Sequence, residues 1–197
     1  MKEWEKAQKG YLYDANYDAE IVEARTRCAD LCFEFNQCRP SDIKRQKELL
    51  TEILGHVGEN PVITAPFYCD YGFNISIGKN FYTNHNVTIL DGAKVVFGDN
   101  VFIAPNCVFS TAGHAIDSEQ RNQGLEIAQP ITVGDSVWIG ANVSVLPGVT
   151  IGSNTIIGAG SVVTKDIPEG VIAVGNPCKV IRKITAADKE KYPIFKE

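Results

Sequence analysis

From Ile131 onward the sequence repeats in blocks of six residues. The blocks read ITVGDS, VWIGAN, VSVLPG, VTIGSN, TIIGAG and SVVTKD. Neither an α-helix, with its 3.6-residue period, nor a simple strand, with its period of two, produces such a pattern. Hexads predict a solenoid in which three short strands close one triangular coil and successive coils pair in parallel. The first residue of each block should face the core; these residues are Ile131, Val137, Val143, Val149, Thr155 and Ser161, preceded upstream by Ile75, Phe81, Val87, Val95, Val101 and Cys107.

The predicted fold class is therefore mainly β, a parallel β-helix with an N-terminal α-helical cap. We predict a cap over residues 1–58, a solenoid over 59–184 and a helical, charged tail over 185–197. Apolar residues spaced three and four apart predict a helix from Asp18, the expected N-cap, to Asn36. Flanking helices are predicted over 2–10 and from Ser41–Asp42 onward, the latter with Ile43, Leu50 and Leu54 facing inward. The segment YLYDANYD between the first two helices has the character of a turn. Such a cap would cover the unpaired edge of the first coil.

Residues 110–130 interrupt the hexads with a polar stretch that is too long for a coil corner. We expect this stretch to protrude as a loop, and loops on rigid supports commonly carry function. It contains His114, one of three histidines in the chain with His56 and His85. A histidine side chain ordinarily has a pKa of about 6.5 and can act as a general base at neutral pH. Glu126 in the same stretch is the candidate for orienting His114.

Charge and composition narrow the classes of partner. The formal net charge of −5 and the scattered basic residues argue against a nucleic-acid partner. No apolar run approaches the roughly 18 residues that a membrane helix needs, so we expect a cytoplasmic protein that does not associate with a membrane. The six cysteines are then expected to be reduced thiols. The spacing of Cys28, Cys32 and Cys38 differs from that of structural zinc sites, and no metal is predicted.

Several segments resemble the maltose and galactoside O-acetyltransferase family. They are the TAGHAID loop, NFYTNHNVTILD, WIGANVSVLPGVTIG, the closing GAGSVVTKDIPEGVIAVGNPCKVIRKI and the N-terminal GYLYDANYDAEIVEARTRC with FEFNQCRPSD. The resemblance covers nearly the whole chain. It implies a left-handed parallel β-helix, a homotrimer, and direct attack of a sugar 6-hydroxyl on acetyl-CoA as the co-substrate, with no metal required.

The same resemblance assigns roles to individual residues. His114 matches the general base, Asn84 the residue that positions the acceptor hydroxyl, and the N–H of Ala141 the donor to the oxyanion. The matched sugar-binding residues are Asp14, Arg25, Asp70, Tyr82, Asn84 and Asp91. The matched coenzyme A residues are Trp138, Ala141, Ala159, Thr164, Lys165, Lys179 and Arg182. Phosphate groups favour the cationic side chains in this last set.

Two positions depart from the galactoside branch of that family. Asp70 stands where that branch tends to have serine, and Gly92 stands where it has a second acid after Asp91. The choice between a glucose-like and a galactose-like acceptor therefore stays open.

Three alternatives remain at the level of sequence. A hexapeptide acetyltransferase with the same base could act on a hydroxyl of serine, an antibiotic or a polysaccharide unit. Three histidines in a hexapeptide prism also resemble the zinc-binding γ-class carbonic anhydrases, although His85 and His114 lie too far apart in sequence to form a close ligand pair. A solenoid that serves only as a binding scaffold is the third alternative.

Overall fold

The computed structural model of the chain describes residues 1–195, in which three sheets form the sides of a triangular prism. Sheet 1 contains β2 (His56–Val57), β5 (Ile75–Ile77), β8 (Val95–Phe97), β13 (Ile131–Val133) and β16 (Thr150–Ile151). Sheet 2 contains β3 (Val62–Ile63), β6 (Tyr82–Thr83), β9 (Phe102–Ile103), β14 (Trp138–Ile139), β17 (Ile156–Ile157), β19 (Val171–Val174) and β20 (Lys179–Lys183). Sheet 3 contains β4 (Phe67–Cys69), β7 (Val87–Leu90), β10 (Val108–Ser110), β15 (Ser144–Val145) and β18 (Val162–Val163). The chain visits the three sheets in turn, so each circuit adds one parallel strand to each.

The interior of the prism is filled by the residues that the hexad pattern predicted. All twelve predicted inward-facing positions are at most 2% exposed. The residue two positions later in most blocks, such as Val133 or Ile139, is also buried, because alternate side chains of a strand share a face. Three phenylalanines stack through the core, with the ring centroid of Phe97 lying 5.0 Å from those of both Phe81 and Phe109. The predicted hexapeptide solenoid with N-terminal helices is confirmed.

The corners of the prism explain the second half of each hexad. Asn60, Asn80 and Asn100 occupy the corner between sheets 1 and 2 with positive φ angles of 54°, 54° and 55°. Asparagine tolerates this left-handed conformation better than most residues. The side-chain amides also form a ladder, since Nδ2 of Asn80 donates to Oδ1 of Asn100 at 2.9 Å. At Gly134 a Cβ atom would lie 2.7 Å from the backbone nitrogen of Ser153 in the next coil, so the close stacking of coils requires glycine there.

Two helices cover the first coil, α2 (Ala19–Gln37) and α3 (Ile43–Ile53), while α1 (Glu3–Gln8) packs at the side, where the ring centroid of Trp4 lies 4.8 Å from that of Tyr71. Asp18 caps α2 as predicted, because its carboxylate accepts from the N–H of Ile21 at 3.1 Å. In α3 the predicted inward positions Leu50 and Leu54 are buried. Ile43 is not, with 53% of its surface exposed: it shares a helix face with Leu50, seven residues on, but it opens the helix, where it borders a surface pocket together with Leu50 and Ile63.

Residues between β10 and β13 form an arm that leaves the prism at the corner between sheets 3 and 1. The arm consists of β11 (Ala112–His114), the short helix α4 (Ser118–Asn122) and β12 (Leu125–Ala128). The segment predicted as a turn before α2 contributes β1 (Tyr13–Asp14), which pairs with β12 in an antiparallel three-stranded sheet. That prediction missed the strand, because a two-residue strand whose partner lies far along the chain has no local signature.

The tail differs from the helix that was predicted. After β20 returns antiparallel to β19, residues Ala186–Glu190 form a 3-10 helix. The last two residues of the predicted tail, Lys196 and Glu197, lie outside the described part of the chain. Within residues 1–195 no helix combines the length and apolar character that crossing a membrane would require.

Candidate active site

His114 lies at the end of β11 on the projecting arm, with 52% of its side chain exposed. Its Nδ1 atom is 3.3 Å from the backbone carbonyl oxygen of Leu125 on the paired strand. A carbonyl oxygen only accepts hydrogen bonds, so this contact assigns the ring proton to Nδ1. The Nε2 atom then carries the lone pair and has no hydrogen-bond partner within residues 1–195, which is the arrangement a general base needs.

Glu126 faces His114 across the arm but does not hold the ring in the way the sequence suggested. The register pairs the two residues, and Oε1 of Glu126 is 3.9 Å from Nε2, beyond hydrogen-bond length. The orienting contact comes from the carbonyl of Leu125 instead, and a backbone acceptor leaves no mark in a sequence. Glu126 is positioned by Tyr13, whose hydroxyl donates to Oε2 at 3.3 Å. Burial, followed by the charge of Glu126, raises the pKa of Tyr13, which keeps its phenol protonated as a donor.

Sequence reasoning also missed Tyr13, and its position explains one departure from the galactoside branch. A Cβ atom at Gly92 would lie 2.9 Å from the hydroxyl oxygen of Tyr13. An acidic side chain at position 92 would therefore displace the group that holds Glu126. The glycine and the tyrosine form a matched pair in this chain.

Two carboxylates form the floor beneath the arm, at the corner between sheets 3 and 1. Asp91 is 0% exposed, and its Oδ1 accepts from the backbone N–H groups of Asp70 at 3.1 Å and Tyr71 at 2.9 Å. Its Oδ2 is also buried and has no hydrogen-bond partner within residues 1–195. Burial raises the pKa of Asp91 to about 6 and that of Asp70 to about 6. Asp91 therefore holds the backbone of Asp70 and Tyr71 from the interior. A sugar could contact Asp91 directly only if these residues moved.

The cap supplies the other two residues predicted for this region. Asp14 follows Tyr13 on β1, and its Oδ1 accepts from the N–H groups of Asn16 and Tyr17, which fixes a tight turn. The guanidinium of Arg25 donates to the carbonyl of Ala15 at 3.0 Å. Its positive charge opposes the rise in the pKa of Asp70, whereas the nearby charge of Glu126 adds to it. The structure therefore brings Arg25, Asp70 and Glu126 into one electrostatic group.

A second group of predicted residues lies on sheet 2 and at the corner between sheets 2 and 3. Tyr82 and Trp138 point outward from β6 and β14, and Trp138 is 54% exposed. Asn84, Ala141 and Ala159 follow strands of sheet 2 at that corner. The side-chain oxygen of Asn84 accepts from the N–H of His85 at 2.7 Å. The N–H of Ala141 donates to no protein acceptor within residues 1–195, so it is available to an external oxygen.

The remaining residues predicted to bind coenzyme A, including the three basic ones expected to contact phosphate, lie in two separate regions of the prism surface. Thr164 and Lys165 are exposed after β18, at the corner from which the arm also departs. Lys179 and Arg182 are exposed on β20 at the end of sheet 2. Arg182 is already paired, because its two terminal nitrogens contact both carboxylate oxygens of Asp188 at 2.6 and 2.8 Å. Water screens such an exposed ion pair, so it contributes little to stability and a phosphate can compete for the guanidinium.

The two groups do not meet within one chain. The carboxylate floor and the His114 arm occupy the corner between sheets 3 and 1, whereas Asn84, Ala141 and Ala159 occupy the other end of sheet 3. No hydrogen bond or ion pair in the described chain joins His114 to Asn84 or Ala141.

Comparison with known proteins decides the family. Residues 6–58 match the maltose acetyltransferase hexapeptide capping motif, and residues 130–165 match the bacterial transferase hexapeptide repeats. The galactoside O-acetyltransferase of Escherichia coli strain K12 is 50% identical over 172 residues, which cover 87% of this chain and 85% of the relative. The chain belongs to the maltose and galactoside O-acetyltransferase family. The family predicted from the sequence is confirmed, and with it an acetyltransferase of the hexapeptide class.

Two solved structures extend the similarity to the whole fold of the acetyltransferase. A galactoside acetyltransferase in complex with coenzyme A superposes with a TM-score of 0.92 and 46% identity, covering 100% of this chain and 97% of that one. A maltose O-acetyltransferase from Clostridium difficile 630 gives a TM-score of 0.91 and 45% identity, covering 94% and 98%. The similarity includes both the helical cap and the prism, so no large insertion separates this acetyltransferase from those relatives.

Proposed function

We propose that this acetyltransferase transfers the acetyl group of acetyl-CoA to a sugar hydroxyl, the 6-hydroxyl of a maltose-like, glucosyl or galactosyl unit. The observation that carries the proposal is the state of His114, whose Nδ1 is held by a carbonyl while Nε2 remains free on a projecting arm. The relative solved with coenzyme A supports the choice of donor. The carboxylates and the guanidinium below the arm match the hydrogen-bonding needs of a sugar.

The reaction needs no covalent enzyme intermediate. Nε2 of His114 takes the proton of the sugar hydroxyl as the hydroxyl oxygen attacks the thioester carbonyl carbon. The resulting oxyanion needs a fixed donor, and the unused N–H of Ala141 can supply one. Collapse of this intermediate breaks the carbon–sulfur bond, and the proton on His114 returns to the departing thiolate. Asn84 and the electrostatic group formed by Arg25, Asp70 and Glu126 would orient the acceptor.

The coenzyme would lie along the exposed part of sheet 2 and its corners. Trp138 offers an aromatic surface, and Ala159 is a small residue that lets the pantetheine arm approach the backbone. Lys165, Lys179 and, after release from Asp188, Arg182 would contact the phosphates, with Thr164 beside them. These roles rest on the exposure of the residues and on their match to the family pattern.

The acceptor assay separates this proposal from its rivals. Purified protein is incubated with acetyl-CoA and maltose, an alkyl thiogalactoside or serine, and thiol release is measured. We expect release with a sugar acceptor and background rates with serine or without an acceptor. Serine as the best acceptor would contradict the sugar assignment, and no release with any hydroxyl compound would favour a binding scaffold.

We also propose that the active unit is a homotrimer with sites between subunits. The support is the separation of His114 from Asn84 and Ala141 within one chain, since a second copy can bring the two corners together. Sheet 2 also presents a row of outward apolar side chains in register, including Val62, Phe102 and Trp138, which are 52%, 50% and 54% exposed. Light scattering should give three times the chain mass of 21.6 kDa. A monomer that is fully active would contradict the shared site.

A further inference from the structure

Three cysteine thiols meet between the cap and the prism, away from the site described above. Cys28 and Cys32 lie one turn apart on the buried face of α2, and Cys69 ends β4 opposite them. The Sγ atom of Cys69 is 3.5 Å from that of Cys28 and 3.7 Å from that of Cys32. All three residues are at most 9% exposed. Cys38, which the sequence grouped with Cys28 and Cys32, lies at the end of α2 and is not part of the cluster.

The spacing of the three sulfur atoms fits ligands of a single soft ion. All three lie within 4.8 Å of one another, and within residues 1–195 this is the only convergent group of three or more metal-ligating side chains. Thiolates bound to one ion at about 2.3 Å lie roughly 3.7 to 4.0 Å apart in tetrahedral or trigonal geometry. Two of the sulfur–sulfur distances already fall within a few tenths of an ångström of this range. Only small side-chain movements would complete the site.

The surroundings of the cluster restrict the kind of ion. The three cysteines belong to the main hydrophobic core, together with Phe35, Phe67 and Leu50. Zinc in structural sites takes four ligands, and the cluster supplies three. Divalent zinc with three thiolates would also leave a net negative charge in an apolar environment, which is unfavourable. A trivalent ion bound by the three thiolates forms a complex with no net charge.

The thiols already contact one another, and a cavity lies beside them. The Sγ atom of Cys69 is within sulfur hydrogen-bonding distance of both other Sγ atoms, so the three thiols are already in mutual contact. A cavity of about 130 Å³ is lined by Cys28 together with Arg27, Glu52 and Phe73. This cavity therefore borders the cluster at Cys28.

We propose that Cys28, Cys32 and Cys69 form a binding site for a soft, thiophilic ion that is satisfied by three sulfur ligands, with trivalent arsenic as the matching case. Arsenious acid enters as a neutral molecule. Each thiol proton combines with one hydroxyl group of the acid, so three arsenic–sulfur bonds form and three water molecules leave. No electron is transferred, and no further reactant is needed. The proposal does not depend on the acetyl-transfer function.

The test uses arsenite with the full-length, reduced protein under anaerobic conditions. Native mass spectrometry should show one arsenic per chain, with the mass of an adduct that has lost three waters from arsenious acid. We expect Cys32→Ser to weaken this binding at least about 100-fold, because even the loss of an outer partner of a site costs about 10- to 100-fold. Cys38→Ser, which removes a thiol outside the cluster, should bind like the unchanged protein.

A second measurement guards against a variant that fails to fold. Arsenite that binds only the folded chain should raise the unfolding temperature of the unchanged protein and of Cys38→Ser. Cys69→Ala provides a second cluster variant, and circular dichroism checks the structure of both cluster variants before titration. Arsenic uptake that survives in folded Cys32→Ser or Cys69→Ala would overturn the proposal. Tighter binding of Zn²⁺ than of arsenite at the cluster would also overturn it, because the charge argument would then be wrong.

Discussion

His114→Ala should reduce kcat/KM for acetyl transfer to a sugar by about 100- to 10,000-fold, the range by which a positioned general base accelerates a reaction. The substitution removes the imidazole whose free nitrogen faces the proposed acceptor hydroxyl. The arm itself should persist, because β11 and β12 are held by backbone pairing and Glu126 by Tyr13. Rates are measured by thiol release, and binding of acetyl-CoA is measured separately by calorimetry.

His56→Ala is the matched control, because His56 lies on β2 beneath the cap, in the first coil. It should retain near-normal turnover. If His114→Ala kept near-normal turnover with intact folding and coenzyme binding, another group would have to be the base. A loss of coenzyme binding equal to the loss of rate would instead place His114 in binding rather than proton transfer.

Asp91→Asn should remove a pH-dependent penalty from the stability of the protein. Burial raises the pKa of Asp91 to about 6 from the ordinary value of 3.8. A carboxyl group whose pKa is raised on folding binds its proton more tightly in the folded chain, so its contribution to stability is greatest below about pH 4 and falls as the pH rises through about 6. At about 1.36 kcal/mol per pKa unit, the free energy of unfolding contributed by this group should fall by about 3 kcal/mol across that window.

The measurement compares urea unfolding of the two proteins at about pH 4 and about pH 7.5, at one protein concentration, a range that spans the shifted pKa. The amide introduced by Asp91→Asn keeps an oxygen for the N–H groups of Asp70 and Tyr71 but does not ionise, so the variant should lose less stability than the unchanged protein between these pH values. Asp30→Asn is the control, because Asp30 is exposed on α2 and its substitution removes the same charge. If the free energy of unfolding depended on pH equally in Asp91→Asn and in the unchanged protein, the pKa of Asp91 would not be raised by folding.

The arm that carries His114 shows where sequence reasoning worked and where it stopped. The break in the hexads located the arm, and its single histidine identified the candidate base. The sequence could not predict which group orients that histidine. The partner is the backbone carbonyl of Leu125, and every residue type has such a carbonyl. The Tyr13 contact was also missed, since it joins positions 113 residues apart through a short strand pairing. Arg182 was predicted to contact a phosphate of coenzyme A, and the sequence pattern did not show that Asp188 in the tail already pairs with it.

The period of six residues was enough to predict the prism, because it repeats the same local environment at every coil. Each β-branched or small residue at the head of a block has the same buried neighbours, and each Asn or Gly at a corner meets the same backbone requirement. The period does not encode which residues share a site, because that depends on long-range contacts. Cys69 joins Cys28 and Cys32, and Gly92 makes room for Tyr13, both through contacts between a prism residue and a cap segment that the repeat does not relate. Such contacts depend on how the cap and the arm dock onto the prism, and docking depends on side-chain packing in three dimensions rather than on periodicity.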